Sequence, residues 1–250
     1  PESGLRRGKD LKGRRIALPI RRNDGVDWWR ATVLAGIEQL QRTTGLSADD
    51  FTVVPIEIDR TYFADATTSA ASHQSLWGTR SQFAVQREEV AALYRGEVDA
   101  IYSDAALAAV LQATTGAMPV ELLRGYEDDS EAGFGHPNVL TVSARLLAER
   151  PDLVDRWVAR LLRAQAWVWQ NISETRRIFA NDTGLPEALL DQGYSARLTD
   201  QVDVSLSENR IALLRHKYDH LLQHGFLGSA FDFAAMIDHG PLNRALSRVS

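Results

Sequence analysis

The chain has 250 residues, 44% hydrophobic and 24% charged, enough for one large domain or two lobes with a core of their own. A net charge of −5, with no Lys/Arg run interleaved with aromatics, argues against a nucleic-acid partner, which needs a basic face to replace phosphate counterions. The absence of cysteine excludes disulfides, thiolate nucleophiles and zinc–thiolate sites within these residues, and no apolar run approaches membrane-span length.

Residues 1–12 are polar and charged and read as a connector. A short apolar run predicts a strand over 16–20, followed by the polar loop Arg21, Arg22, Asn23, Asp24, Gly25. Asp27 stands where an N-cap should be. Val33, Leu34, Ile37 and Leu40 then recur at helical spacing, with Gly45 placed as C-cap. A second strand is predicted over 51–58, ending at Asp59 and Arg60. Residues 61–77, including His73, show no clean period and read as a functional flap or an insertion. Helical periodicity returns over 81–94, Gly96 breaks it, and a third strand over 98–102 ends at Ser103 and Asp104. A helix over 105–114 and a fourth strand candidate over 118–123 complete a βαβαβαβ order.

The glycine-bearing acidic stretch 125–137 is the best boundary, and a further strand is predicted over 138–143. Helices follow. Pro151 opens a long one with a broad apolar face, whose neighbours Trp157, Trp167 and Trp169 are expected to pack inward. Ser173 caps the next, Gly184 and Pro186 punctuate, an amphipathic helix covers 205–224, and 231–237 reads as a short closing helix.

In an open parallel sheet, ligands sit beyond the carboxyl ends of the strands. Those ends carry Arg21 to Asn23, Asp59 with Arg60, and Ser103 with Asp104, so three polar loops are expected to converge. A helix N-terminus adds unpartnered amides and partial positive charge, and Arg21 and Arg22 could clamp an anion. The alternative is an ordinary polar loop with solvated arginines. Trp28 and Trp29 point about 100° apart on a helix, so at most one should face the cleft and the other should be core. Arg60 belongs to the same edge, and Arg80, after the flap, could help close over an aromatic ligand. Ser103 could contact the ligand, while Asp104 either orients it or caps the following helix. His136 sits at the second crossing, as a ligand contact or a hinge-loop histidine. His216, His220 and His224 recur every four residues. That spacing suits a metal, but a solvated stripe is the expected reading because no acidic or sulfur ligand is evident beside it. No metal and no cofactor are expected.

Four stretches carry a family resemblance: DLKGRRI at 10–16, GEVDA at 96–100, NVLTVS at 138–143 with Arg150 and Pro151, and FANDTGLPE at 179–187. Together they resemble the nitrate/sulfonate/taurine substrate-binding superfamily. That resemblance implies an α/β, type II periplasmic-binding-protein-like fold of two lobes. It has a hinge at 1–12, a parallel-sheet lobe at 13–124, an interlobe crossing at 125–137, and the mostly helical C-terminal part of the other lobe at 138–250. The implied function is binding of a small organic anion, a sulfonate or sulfinate, as an extracytoplasmic ABC-transporter-type binding protein with a permease as partner. Residues 98–103 and 111–120 also resemble sulfinate desulfinases of the 2′-hydroxybiphenyl-2-sulfinate type. This implies the alternative, a cytoplasmic C–S hydrolase. Those enzymes have a tryptophan near this helix start, which favours a pocket role for Trp28 or Trp29. Their catalytic cysteine, histidine and arginine lie in an N-terminal segment without counterpart here. No catalytic residue is therefore assigned, and the expected parent protein is longer than this chain. A third class, a helical interaction module, would follow from a large exposed apolar face over 145–250.

Overall fold

The computed structural model describes residues 3–60, 79–123, 139–194 and 202–249. The predicted flap at 61–77 and crossing at 125–137 lie outside them. The chain divides into two compact units, Pro1–Phe134 with Arg177–Ala196, and Gly135–Arg176 with Arg197–Ser250.

The first unit is built on β1 (Arg15–Arg21) and β2 (Thr52–Ile58), paired in parallel with Arg15 opposite Thr52 and Arg21 opposite Ile58. Between them runs α1 (Trp28–Thr44), started by Asp27, whose side chain accepts from Arg30 N–H, and stopped by Gly45 at φ 73°. Trp29, Val33, Ile37 and Leu40 follow helical spacing and bury one face of α1 against Ile16, Phe51 and Leu11. Leu11 comes from a turn at Gly8–Leu11, so the charged N-terminal stretch contributes to the core. Next come α2 (Thr79–Tyr94) and α3 (Ala105–Thr115), the latter ended by Gly116 at φ 70°. Ala106 and Ala109 of α3 pack with Leu185 and with Leu190 of α7 (Leu190–Tyr194).

Among the described residues the sheet has two strands, and this corrects the expected two-lobed, multi-stranded binding-protein architecture. The predicted third strand meets β1 at a single bridge, Ile16 opposite Ala100. Asp99 N–H and Ala100 N–H donate to Arg15 O, and Ala17 N–H donates to Ala100 O. The next donor on that edge would be residue 19, and Pro19 has no N–H. Carboxylates take the flanking donors: Asp99 Oδ2 accepts from Arg15 N–H and Asp27 Oδ2 from Arg21 N–H, both at 2.8 Å. Residues 118–123 form no strand, and Pro119 again removes a ladder donor. Residues 139–143 form no strand either. Val139, Leu140 and Val142 are exposed, and Ser143 instead caps α4 (Ala144–Glu149) by accepting from Leu146 N–H.

The second unit is helical. In it α5 (Pro151–Gln170) packs on α9 (Gly240–Val249) through Val158, Ala159, Leu162, Leu242 and Ala245. Buried Asp155 anchors that seam by accepting from Arg244 Nε at 2.9 Å and Arg248 Nη2 at 3.3 Å. Trp157, Trp167 and Trp169 lie off the seam and are 58%, 41% and 51% exposed, so the expected inward packing does not occur. Helix α6 (Ile172–Thr183) starts before Ser173, which is therefore not its cap. The closing helix is α9 rather than 231–237, where only a short turn at Ala234–Met236 forms. Pro241 suits the first turn of α9, and Asp238 takes Gly240 N–H. On α8 (Glu208–Gln223), His216 is exposed, but His220 is buried and its ring centroid lies 4.5 Å from that of His224, so the stripe is not uniformly solvated.

Candidate functional site

The polar ends of β1, β2 and the 99–104 segment are gathered by one helix, α2. Val85 O accepts from Arg21 Nη2 at 3.1 Å, Gln86 Oε1 from Ser103 Oγ at 3.0 Å, Glu88 from Arg60, and Glu89 Oε1 from the Trp29 indole at 2.8 Å. The three loop ends are therefore brought together, and the element that joins them is a helix.

The arginines play unlike parts. Arg21 is 2% exposed and donates to two backbone carbonyls, those of Arg60 and Val85. It works as a buried strap between β1, the end of β2 and α2. Arg22 is exposed and ion-paired with Glu57. Arg60 grips the Glu88 carboxylate, Nη2 lying 2.5 and 2.7 Å from its two oxygens. Asn23 Nδ2 donates to Asp59 O at 2.6 Å.

The expected anion site at the start of α1 meets a carboxylate of the chain itself. Asp27 accepts from Arg21 and Arg30 N–H, and burial holds its carboxyl above the usual range despite those two donors. Trp28 and Trp29 meet edge to face at 5.3 Å, and Trp29 meets Tyr102 likewise at 5.7 Å. Trp29 is the buried member, packed in the core, and Trp28 is half-buried and packs against the same core cluster. Asp104 holds the N-cap position of α3 with extended backbone. This is the place the capping alternative gives it, although its side chain makes no cap hydrogen bond. Arg80 lies in the first turn of α2, and His136 lies outside the described residues.

Two residues that sequence reading missed complete the cluster. Gln86 and Glu89 are 1% and 2% exposed. Burial pushes the Glu89 carboxyl up to about 7, against the opposing pull of the Trp29 indole and the Arg21 guanidinium. A group titrating there can give or take a proton near neutrality. The missed signal was in the pattern: Gln86 occupies the apolar stripe Phe83, Val90, Leu93, where a polar side chain must find a partner or a use. An amide, a hydroxyl, an indole and one carboxyl make a hydrogen-bonding site, not a metal-ligand set.

No family model matches the chain. It is 29% identical over 244 residues to the 2′-hydroxybiphenyl-2-sulfinate desulfinase of Rhodococcus erythropolis, and equally to that of Rhodococcus qingshengii, covering 90% of this chain and 64% of each relative. The chain thus spans 64% of the length of the curated relatives it matches. The crystal structure of the desulfurization enzyme DSZB superposes with a TM-score of 0.74 at 28% identity, covering 98% of this chain and 73% of that one. A cysteine-to-serine variant of DSZB in complex with biphenyl-2-sulfinic acid matches with the same TM-score and identity, covering 99% and 74%. The chain is homologous to 2′-hydroxybiphenyl-2-sulfinate desulfinase. These matches, with the two-stranded sheet and mostly helical content of the described residues, overturn the two-lobed binding-protein fold. They support the desulfinase-like alternative instead of a transporter binding protein with a permease partner.

Proposed function

We propose that this protein acts on aryl sulfinates as a desulfinase, cleaving the bond between ring carbon and sulfur. The observation that carries this reading is the homology to the desulfinase along 90% of the chain. The likeness to the complex with biphenyl-2-sulfinic acid supports a sulfinate as the small-molecule ligand. The cluster around α2 suits the aromatic part of such a ligand, with half-buried Trp28 to wall the rings and a hydrogen-bonding floor beside it. Arg22 follows β1's buried Arg21 and is exposed. Its pair with Glu57 is solvent-exposed and therefore weak, so it is the arginine we assign to the sulfinate charge.

The residues of this cluster bind and orient; none is set up as a nucleophile. Ser103 donates its hydroxyl proton to the amide oxygen of Gln86, and an amide is too weak a base to activate it. The sequence contains no cysteine, so a thiol nucleophile would have to come from outside these 250 residues. The test is to incubate the full-length protein with 2′-hydroxybiphenyl-2-sulfinate and follow sulfite and the desulfinated biphenyl together. Equimolar appearance of both supports the reading, and substrate left intact refutes it.

A further inference from the structure

Gln86 Nε2 and Glu89 Oε2 are buried and, among the described residues, have no hydrogen-bond partner. The other polar atom of each side chain is engaged, Gln86 Oε1 by Ser103 and Glu89 Oε1 by Trp29, so neither side chain is loose. The two residues stand three apart on α2, neighbouring positions of one helix face. A buried donor and a buried acceptor on one helix face, both without partners, break a rule that native interiors seldom break. A single group that both accepts and donates would serve them together. With the Glu89 carboxyl ionised, as it is on the alkaline side of neutrality, an anionic sulfinate has no proton for it, and an ammonium group has no lone pair for Gln86. A hydroxyl has both. Glu89 is itself bonded to Trp29, which stacks edge to face with Trp28 and Tyr102, so the hydroxyl best suited is one carried on an aromatic ring.

We propose that Gln86 and Glu89 form a hydroxyl-recognition subsite, in which Gln86 Nε2 donates to, and Glu89 Oε2 accepts from, the phenolic hydroxyl of a hydroxyaryl sulfinate. This inference rests on the aryl-sulfinate reading above and adds to it what distinguishes one sulfinate from another. No bond is broken at the subsite; it selects and orients.

Calorimetric titration of the full-length protein at pH 8, where the Glu89 carboxyl is ionised, with 2′-hydroxybiphenyl-2-sulfinate, its 2′-methoxy analogue and biphenyl-2-sulfinate tests it. The native protein should bind the hydroxylated ligand about tenfold or more tighter than the other two. Gln86→Met, which roughly conserves volume, should weaken binding of the hydroxylated ligand about tenfold and so remove its advantage over the other two. Equal native affinity for all three ligands overturns the subsite and leaves the aryl-sulfinate reading standing. An equal loss for all three in Gln86→Met, as a purely structural role would give, also overturns it. Binding of none of them overturns the aryl-sulfinate reading, and the subsite with it. Should Gln86→Met not fold, the native comparison decides alone.

Discussion

Replacing Glu89 with Gln should change the pH dependence of stability more than stability itself. The side chain is almost wholly buried, and its carboxyl is pushed from 4.5 up to about 7, with burial as the main cause. Below pH 4.5 the folded and unfolded chains both carry the proton, and the shift has no effect on their balance. Between 4.5 and 7 the unfolded chain ionises while the folded one holds its proton, so stability falls as pH rises. Above 7 the loss is complete, and the difference between the two pKa values corresponds to about 3 kcal/mol. A glutamine cannot ionise, and its carbonyl oxygen can still accept from the Trp29 indole. Urea unfolding followed by tryptophan fluorescence from pH 5 to pH 8 should therefore show Glu89→Gln gaining on the native protein by about 2.5 kcal/mol across that range. A difference that stays constant over the range would refute the reasoning, because it would mean that the buried carboxyl does not carry its proton into the neutral range.

Other substitutions probe the scaffold around the cluster. Asp27→Ala removes the acceptor of both Arg21 and Arg30 N–H and should cost about 1–2 kcal/mol in chemical denaturation. Gly36→Ala would place a methyl 2.5 Å from the Tyr102 ring, and overpacking of about 1–3 kcal/mol should appear as a lowered Tm. Arg21→Met should destabilise strongly because two carbonyls lose their donor, whereas Arg22→Ala, which breaks an exposed pair, should cost under about 1 kcal/mol. Equal effects of the two arginine substitutions in parallel denaturation curves would contradict the roles assigned to them.

That last contrast shows where the sequence could be read and where it could not. Helix limits were legible wherever a cap was chemical: Asp27 and Gly45 around α1, Gly116 after α3, Pro151 at the start of α5. The predicted strand stopped at Ile20 and left Arg21 in a loop. One more residue of strand would have put Arg21 on the face of Ala17 and Pro19, which is the buried face. The third and fourth strands were misread because an apolar run does not reveal whether a neighbour can supply its ladder bonds, and here Pro19 and two carboxylates close that edge. Glu89 and Gln86 escaped notice because their partners are distant in sequence. Trp29 lies 60 residues from Glu89, and no local pattern announces such a bond. The family likeness was legible in short motifs, but their wider resemblance to transport proteins pointed to the wrong architecture.

The central claim is that this chain belongs to a protein that recognises aryl sulfinates and not the small anions of nutrient uptake. Calorimetric titration of the full-length protein with biphenyl-2-sulfinate, taurine and nitrate under one set of conditions tests it most directly. The account predicts saturable binding of biphenyl-2-sulfinate and no heat from the other two. Saturable binding of taurine or nitrate, with none of the aryl sulfinate, would contradict it.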